Sequence, residues 1–420
     1  RRRINKVHGI ISNKNKKAAL VPDSDHFYHH FILPENKLNQ DRIGSLAWIE
    51  IKKYPQGNSQ PYGKLIPSLE KVLNETVEEQ LILNRYALSN DSPELTENES
   101  ASLPRQIRLK KNENRTDLRD LPFITIDGAD ARDFDDAIYA KKEGDGYRIW
   151  VSIADVADYV QANTNIDKQA RIRGNSIYFP FRAIPMLPER LSNDICSLIK
   201  NKNRFTITCE ILLDSRGGAL NFKIYESIIR VSSRLTYEQV DQFFEIGHLK
   251  VGKKQKLENE LLLYLKISKL LRQKRLNRGM IDFNLPESKF VFDEKKQLVN
   301  IVRHYQSATQ KLIEQFMLEA NEAVGRFCHQ QQIPAIWRNH VDPVSSDIEQ
   351  IKQVLWDKKI KKSNLSNGRN INELLSQYRD SDQAYLIDKI ILKTMSQARY
   401  DVFPKKHFGL GTDYYCHFTS

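Results

Sequence analysis

The sequence predicts a multidomain protein in which a small N-terminal β-barrel is followed by a larger α+β domain. The first 75 residues contain short apolar runs separated by polar turns, a pattern typical of a small barrel. Residues 76–114 are predominantly polar and predict a linker with a short helix. From residue 115 to residue 420, strand patterns and long helical patterns follow one another without regular alternation, which favours an α+β domain.

Five short apolar runs are the candidate strands of the barrel. They are residues 7–11, 18–22, 27–34, 45–51 and 62–66. In the linker, residues 78–88 predict one helix, whereas residues 89–102 are rich in Ser, Asn, Glu and Asp and predict a surface loop.

The larger domain shows both strand and helix periodicity. Residues 123–126 predict a buried strand, and the Glu-Gly-Asp-Gly turn at 143–146 predicts a hairpin between strands at 137–140 and 147–153. The predicted long helices cover residues 257–275, 308–330 and 384–399.

Composition narrows the function classes. Lys and Arg outnumber Asp and Glu by 65 to 53, a net charge of +12, and such an excess favours a polyanionic partner such as nucleic acid. No long apolar run predicts a membrane span, and residues 1–20 do not resemble a secretory signal. The four cysteines lack CxxC spacing; we therefore expect reduced thiols in a cytoplasmic protein rather than a zinc site or disulfides.

Five aspartates lie within ten positions directly after the strand predicted at 123–126. They are Asp127, Asp130, Asp133, Asp135 and Asp136. Clustered carboxylates raise one another's pKa unless a cation offsets their charge, and Mg²⁺ prefers such oxygen ligands. Two such ions could hold the attacking and leaving oxygens of a phosphodiester. A solvated acidic loop or a calcium site is the alternative, and composition alone favours the loop; the EF-hand pattern does not match.

Four sequence blocks resemble the catalytic domain of the ribonuclease II / ribonuclease R family, in the family's order. They read RTDLRDLP leading into TIDGADARDFDDA at 115–137, IPMLPERLSNDICSL at 184–198, LIEQFMLEAN at 312–321, and HFGL with HFTS at 407–420. The residues around Asp130 resemble ribonuclease R more than ribonuclease II. The resemblance implies a 3′→5′ exoribonuclease that hydrolyses single-stranded RNA to nucleoside 5′-monophosphates with Mg²⁺.

Particular residues match the family's functional positions. The resemblance implies that Asp127, Asp133, Asp135 and Asp136 hold the metal, whereas Asp130 is not usually counted among them. It further implies that Tyr178 stacks on the 3′-terminal base, that Phe283 clamps the last bases and that Glu314 helps to recognise the terminal nucleotides. Each has an ordinary structural alternative: a lone aromatic is usually core, and a helical Glu is usually solvated.

Residues 5–75 are similar to a cold-shock OB-fold domain of the same family, which binds single strands through aromatic and basic side chains. The candidates are Phe27, Tyr28, Phe31, Lys14, Lys16 and Lys17, with the alternative that Phe27 and Phe31 are barrel core. The family's pattern normally continues beyond Ser420 with a catalytic arginine and an S1 domain, so a fragment is expected. We expect a monomer. A non-catalytic RNA-binding relative and a metal-dependent DNA exonuclease remain as alternatives.

Overall fold

The computed structural model describes residues 6–14, 17–22, 30–33, 43, 46–54, 61–66, 79, 82–83, 86, 93–104, 114–249, 255–357, 365 and 367–419. The chain divides into two compact units. The first unit is Arg1–Ser102 with Ala162–Pro188, and the second is Leu103–Gln161 with Glu189–Ser420. Among the described residues, none of the helices has the length and apolar character needed to cross a bilayer.

The elements follow in chain order. The strands are β1 (Lys6–Lys14), β2 (Lys17–Pro22), β3 (Phe31–Ile32), β4 (Leu46–Lys53), β5 (Tyr62–Ile66), β6 (Thr116–Asp117), β7 (Ile124–Asp127), β8 (Asp136–Glu143), β9 (Gly146–Ala154), β10 (Ile177–Phe179), β11 (Arg182–Ile184), β12 (Asn203–Leu213), β13 (Ala219–Arg230), β14 (Ser233–Thr236), β15 (Glu287–Phe292), β16 (Leu298–His304), β17 (Trp337–Asn339) and β18 (Arg399–Asp401). The helices are α1 (Glu94–Ser102), α2 (Asn165–Arg173), α3 (Tyr237–Ile246), α4 (Gln255–Arg278), α5 (Ala308–Gln330), α6 (Ser345–Asp357), α7 (Gly368–Tyr378) and α8 (Ala384–Thr394).

The first unit contains the predicted barrel. Strands β1 to β5 close in the order β1-β2-β3-β5-β4, around a core that includes Val7, Leu20 and Ile49. Phe31 is fully buried in that core, so for this residue the core alternative is correct. Phe27, Tyr28 and Lys16 lie outside the described residues, as do the side chains of Lys14 and Lys17.

The segment at 89–102, predicted to be a surface loop, contains helix α1. Glu94 and Glu97 lie in its first turn, where acidic side chains complement the helix dipole. The carboxylate of Glu99 accepts a hydrogen bond from the backbone amide of Asn165 at 2.8 Å. This tertiary contact with α2, which composition does not reveal, stabilises the helix.

A seven-stranded mixed sheet forms the centre of the second unit, in the order β14-β7-β8-β9-β12-β13-β6. Strands β8 and β9 form the predicted hairpin, and β14 pairs in parallel with β7. Helices α4 and α5 pack on this sheet through residues such as Leu261, Tyr264 and Phe316. The α+β architecture predicted for this part of the chain is therefore confirmed.

Helices α4 and α5 share a buried ionic network. The guanidinium of Arg275 is fully buried and donates to Glu319 at 2.6 Å, to Glu322 at 2.9 Å and to the amide oxygen of Gln315 at 2.7 Å. Removing one member of such a network leaves an uncompensated buried charge. The network therefore fixes the register of the two helices.

Helices α6, α7 and α8 surround a separate apolar cluster that includes Leu355, Leu374 and Ile387. The helix predicted at 384–399 ends at Thr394, so its predicted C-terminal end is wrong. Met395 adopts an extended conformation, and residues Arg399–Asp401 instead pair with β17 as strand β18. The pairing satisfies backbone groups that a longer helix would have used internally.

Candidate active site

Two of the predicted aspartates lie at adjacent strand ends. β7 ends at Asp127 and β8 begins at Asp136. Because Ile124 pairs with Ile138 in this antiparallel pair, the end of one strand lies beside the start of the other. The loop between the strands, residues 128–135, carries Asp133 and Asp135. The sheet therefore brings two carboxylates to adjacent strand ends and carries two more on the loop that joins them.

Burial and mutual repulsion disfavour the charged forms of two of these carboxylates. Burial, with the charges of Asp135 and Asp133, raises the pKa of Asp127 to about 6. Burial, with the charges of Asp127 and Asp135, raises the pKa of Asp136 to about 7. A divalent cation would remove this conflict.

The chemistry of the residues fits Mg²⁺. Oδ2 of Asp127 is buried and has no hydrogen-bond partner, although buried carboxylate oxygens are normally paired. Within the described ranges, no three Asp, Glu, His or Cys side chains form a preassembled metal-binding group. Asp127 thus presents an unpaired carboxylate oxygen beside Asp136, a donor set of the kind that Mg²⁺ accepts. Asp130 is exposed.

The block at 184–198 fixes one half of the aspartate loop. The hydroxyl of Ser197 accepts a hydrogen bond from the amide of Phe134 at 3.1 Å and donates to the carbonyl of Arg132 at 2.8 Å. The amide of Leu198 donates to the carbonyl of Phe134 at 2.8 Å, and the amide of Ala154 donates to that of Asp135 at 2.9 Å. These bonds hold the backbone on which Asp133 and Asp135 are carried.

Two residues that sequence reasoning missed lie beside Asp127. In the parallel pair of β7 and β14, Thr236 is the partner of Asp127, so Arg234 and Tyr237 flank the aspartates. Burial and the charges of Asp127 and Asp136 raise the pKa of Tyr237 to about 12. No local pattern marks either residue, because the pairing of β14 with β7 joins distant parts of the chain.

Tyr178 lies in the first unit, whereas the aspartates lie in the second. It is in the centre of the hairpin formed by β10 and β11, opposite Ala183. Its side chain is 68% exposed. An exposed aromatic is available for stacking on a base, so the core alternative does not describe Tyr178.

Phe283 and Glu314 both lie in the second unit but in different surroundings. Phe283 is half-buried and packs against the apolar cluster of α6, α7 and α8. Glu314 is exposed near the start of α5, next to the buried Ile313 and Gln315. Its carboxylate accepts a hydrogen bond from the side-chain amide of Gln306 at 2.9 Å.

The C-terminal block packs along α5. A Cβ on Gly325 would lie 3.0 Å from the carbonyl carbon and oxygen of Tyr414, so the absence of a side chain permits this approach. His329 stacks on the ring of Tyr414 with centroids 3.9 Å apart. The amide of Arg338, in β17, donates to the carbonyl of Tyr415 at 2.9 Å.

Family models match both parts of the chain. One described as an RNB domain matches residues 115–420, and one described as a cold shock domain matches residues 20–93. Ribonuclease R of Escherichia coli (strain K12) is 34% identical over 410 residues, which cover 96% of this chain and 50% of that protein. Ribonuclease R of Thermotoga maritima is 34% identical over 434 residues, which cover 100% of this chain and 60% of that protein. The chain thus spans about half or somewhat more of these relatives' length.

Solved structures agree. Mycoplasma genitalium RNase R in complex with ribose methylated single-stranded RNA matches with a TM-score of 0.90 at 26% identity, covering 100% of this chain and 67% of that one. Yeast Ssd1, described as a pseudonuclease, matches with a TM-score of 0.73 at 17% identity, covering 100% of this chain and 53% of that one; this likeness concerns the fold alone. Since the RNB domain model matches most of the chain, the chain belongs to the RNB-domain family of ribonuclease II and ribonuclease R, as its motifs predict.

Proposed function

We propose that this protein is a 3′→5′ exoribonuclease that hydrolyses single-stranded RNA to nucleoside 5′-monophosphates with two Mg²⁺ ions. One observation carries the proposal: Asp127 and Asp136 are brought to adjacent strand ends, with Asp127 presenting a buried, unpaired oxygen. A site that served only as a scaffold would not need carboxylates held against their own repulsion.

Asp127, Asp133, Asp135 and Asp136 would hold the ions. Bound Mg²⁺ supplies an activated water nucleophile and positive charge that offsets the developing charge on the phosphoryl oxygens. The chain's own contribution is to keep the carboxylates in place through Ser197 and the backbone of Leu198. Preorganisation of this kind reduces the rearrangement needed during the reaction.

RNA binding would use stacking and charge. Tyr178 is exposed and would stack on the 3′-terminal base, which suits any sequence because every base has a π-face. Phe283 and Glu314 are proposed to contact the last nucleotides. The net charge of +12 favours a partner rich in phosphate, for which single-stranded RNA is the natural candidate.

A non-catalytic RNA-binding protein is the second candidate, because the fold is shared with a protein described as a pseudonuclease. Retention of all four aspartates favours the enzyme.

The test follows the length of 5′-labelled single-stranded RNA with Mg²⁺ or with EDTA, alongside a DNA strand of the same sequence. We expect stepwise shortening of RNA that requires Mg²⁺ and is abolished in Asp135→Asn, whereas RNA binding persists. Asp130→Asn is the matched control, because Asp130 lies exposed in the same loop. Binding without cleavage by the unaltered chain would identify the non-catalytic alternative, and equal DNA cleavage would identify a general exonuclease.

A further inference from the structure

Arg234 contacts a part of the aspartate loop that Ser197 does not contact. Arg234 lies on β14 beside Thr125 of β7. Its Nη2 donates to the carbonyl oxygens of Ala129 at 3.0 Å and of Ala131 at 3.3 Å. These carbonyls belong to the first half of the loop, which Ser197 and Leu198 do not contact through the hydrogen bonds described above.

The same guanidinium also contacts the second half of the loop. It lies over the ring of Phe134, 4.8 Å from the ring centroid. Phe134 is 7% exposed and is itself held through its amide and carbonyl by Ser197 and Leu198. Arg234 therefore links the first half of the loop to the second half, which Ser197 and Leu198 hold.

We propose that Arg234 is a positioning residue that holds the loop between Asp127 and Asp135 in the shape that directs the aspartates at a shared divalent cation. The proposal rests on the function proposed above. Arg234 acts through the loop and needs no contact with the ion or with RNA.

The chemistry of arginine suits this role. A guanidinium is planar and permanently charged, so it can donate to two carbonyls while lying over an aromatic ring. A lysine at this position would retain the charge but lose the planar contact. The positive charge of Arg234 also opposes the burial and the carboxylate repulsion that raise the pKa of Asp127.

Arg234 is exposed, and a competing role is direct contact with an RNA phosphate. The two roles differ in what they do to the loop when RNA is absent. A phosphate contact leaves the free loop unchanged, whereas a positioning residue orders it before any ligand arrives.

The experiment compares Arg234→Met, Arg234→Lys and the control Arg216→Met, since Arg216 is an exposed arginine in the turn between β12 and β13. Three quantities are measured on the full chain: amide hydrogen exchange in EDTA, Mg²⁺ affinity by calorimetry, and melting temperature.

In Arg234→Met, we expect faster exchange at residues 128–134 with unchanged exchange in β8 and β9. Mg²⁺ affinity should fall about 10- to 100-fold, the usual effect of losing a residue that orients metal ligands. The loop exchange and Mg²⁺ affinity of Arg234→Lys should lie between those of Arg234→Met and of the unaltered chain. Arg216→Met should match the unaltered chain.

Unchanged loop exchange and Mg²⁺ affinity, with weaker RNA binding alone, would overturn the proposal in favour of a phosphate contact. A general loss of protection throughout the sheet, with a lower melting temperature, would overturn it in favour of a structural role. If the unaltered chain bound no Mg²⁺ and cleaved no RNA, the proposed function would fail. The loop-exchange measurement in EDTA is independent of that result.

Discussion

Asn321 and Thr419 are joined by two hydrogen bonds that run in opposite directions. The side-chain oxygen of Asn321 accepts from the backbone amide of Thr419 at 2.9 Å, and its side-chain nitrogen donates to the Thr419 hydroxyl at 2.9 Å. The same side chain accepts from the amide of Phe418 and donates to the hydroxyl of Tyr415. A single buried amide on α5 thus fixes the C-terminal block to the helix.

Asn321→Leu should destabilise the second unit by about 1 to 3 kcal/mol, because the buried amide of Thr419 would lose its acceptor and the amide of Phe418 would keep only the carbonyl of Cys416. The measurement is urea unfolding followed by tryptophan fluorescence, to which Trp337, in β17 beside this block, contributes. Thr419→Val, which removes one hydroxyl, should cost less. An unchanged unfolding midpoint in Asn321→Leu would mean that the hydrogen bonds of the Asn321 side chain contribute no stability.

Asp136→Asn should stabilise the protein in EDTA and remove its response to Mg²⁺. Without a cation, burial and the charges of Asp127 and Asp135 disfavour the ionised form of the Asp136 carboxyl. An uncharged side chain of the same shape should therefore raise the free energy of unfolding by on the order of 1 kcal/mol. Addition of Mg²⁺ should raise the melting temperature of the unaltered chain but not that of the variant. Thermal unfolding at constant ionic strength tests both expectations. An equal Mg²⁺ response in the two proteins would contradict the assignment of Asp136 as a ligand.

Tyr178→Ala should weaken the hold on short RNA by about 1 to 3 kcal/mol, the contribution of one stacked base. The expected result is a longer final product, with the melting temperature unchanged because the side chain is 68% exposed. Tyr178→Phe keeps the ring and should behave like the unaltered protein. Gel analysis of end products, together with thermal unfolding, distinguishes stacking from a packing role, which would lower the melting temperature instead.

Stability should fall below pH 6.5 in a manner that depends on His407. Burial and the neighbouring His340 lower the pKa of His407 from 6.5 to about 4. The unfolded chain therefore takes up a proton that the folded chain resists, so the stability contributed by His407 is complete above pH 6.5 and is lost as the pH falls toward 4.

His407→Asn should flatten this pH dependence, because an asparagine oxygen can replace the ring nitrogen that accepts from the amide of Leu410 at 3.2 Å without titrating. His248→Asn, at an exposed histidine, is the matched control. Urea midpoints measured from pH 7.5 to pH 4.5 provide the comparison, and parallel curves for His407→Asn and the unaltered chain would refute the assignment.

Binding to single-stranded RNA should weaken with salt, because a basic chain releases counterions from each phosphate that it contacts. The expected slope of log affinity against log salt concentration is about −0.7 per phosphate. Fluorescence anisotropy of labelled RNA with the Asp135→Asn variant measures it without degradation. A flat dependence between low and physiological salt would contradict an RNA path lined by basic side chains.

Local patterns predicted much of the fold. The helix predicted at 308–330 matches α5 because its apolar residues recur at helical spacing and Ser307 with Gln310 forms a capping box at its start. The hairpin of β8 and β9 follows from the turn at 143–146. In contrast, α1 and strand β18 depend on tertiary partners, Asn165 and β17 respectively, which no window of sequence contains.

The aspartates of the candidate site could be predicted from the sequence, but the contacts that position them could not. The aspartates are visible as a motif, yet the burial that distinguishes Asp127 and Asp136 from Asp130 follows from sheet pairing. Ser197 lies in one of the four sequence blocks, but nothing in that block predicts its hydrogen bonds to the aspartate loop. Arg234 lacked any local signal, since its contact with Ala129 joins residues 105 positions apart.

The parallel pairing of β14 with β7 also determines when the site can form during synthesis. Ser197 reaches back 63 residues to Phe134, and Arg234 reaches back 105 residues to Ala129. Closing such long loops carries an entropic cost that only later packing repays. A nascent chain that has emerged from the ribosome up to residue 190 would contain all four aspartates. It would still lack Ser197 and Arg234, the two side chains that hold their loop. The aspartate loop would therefore take its final shape only after strand β14 has emerged.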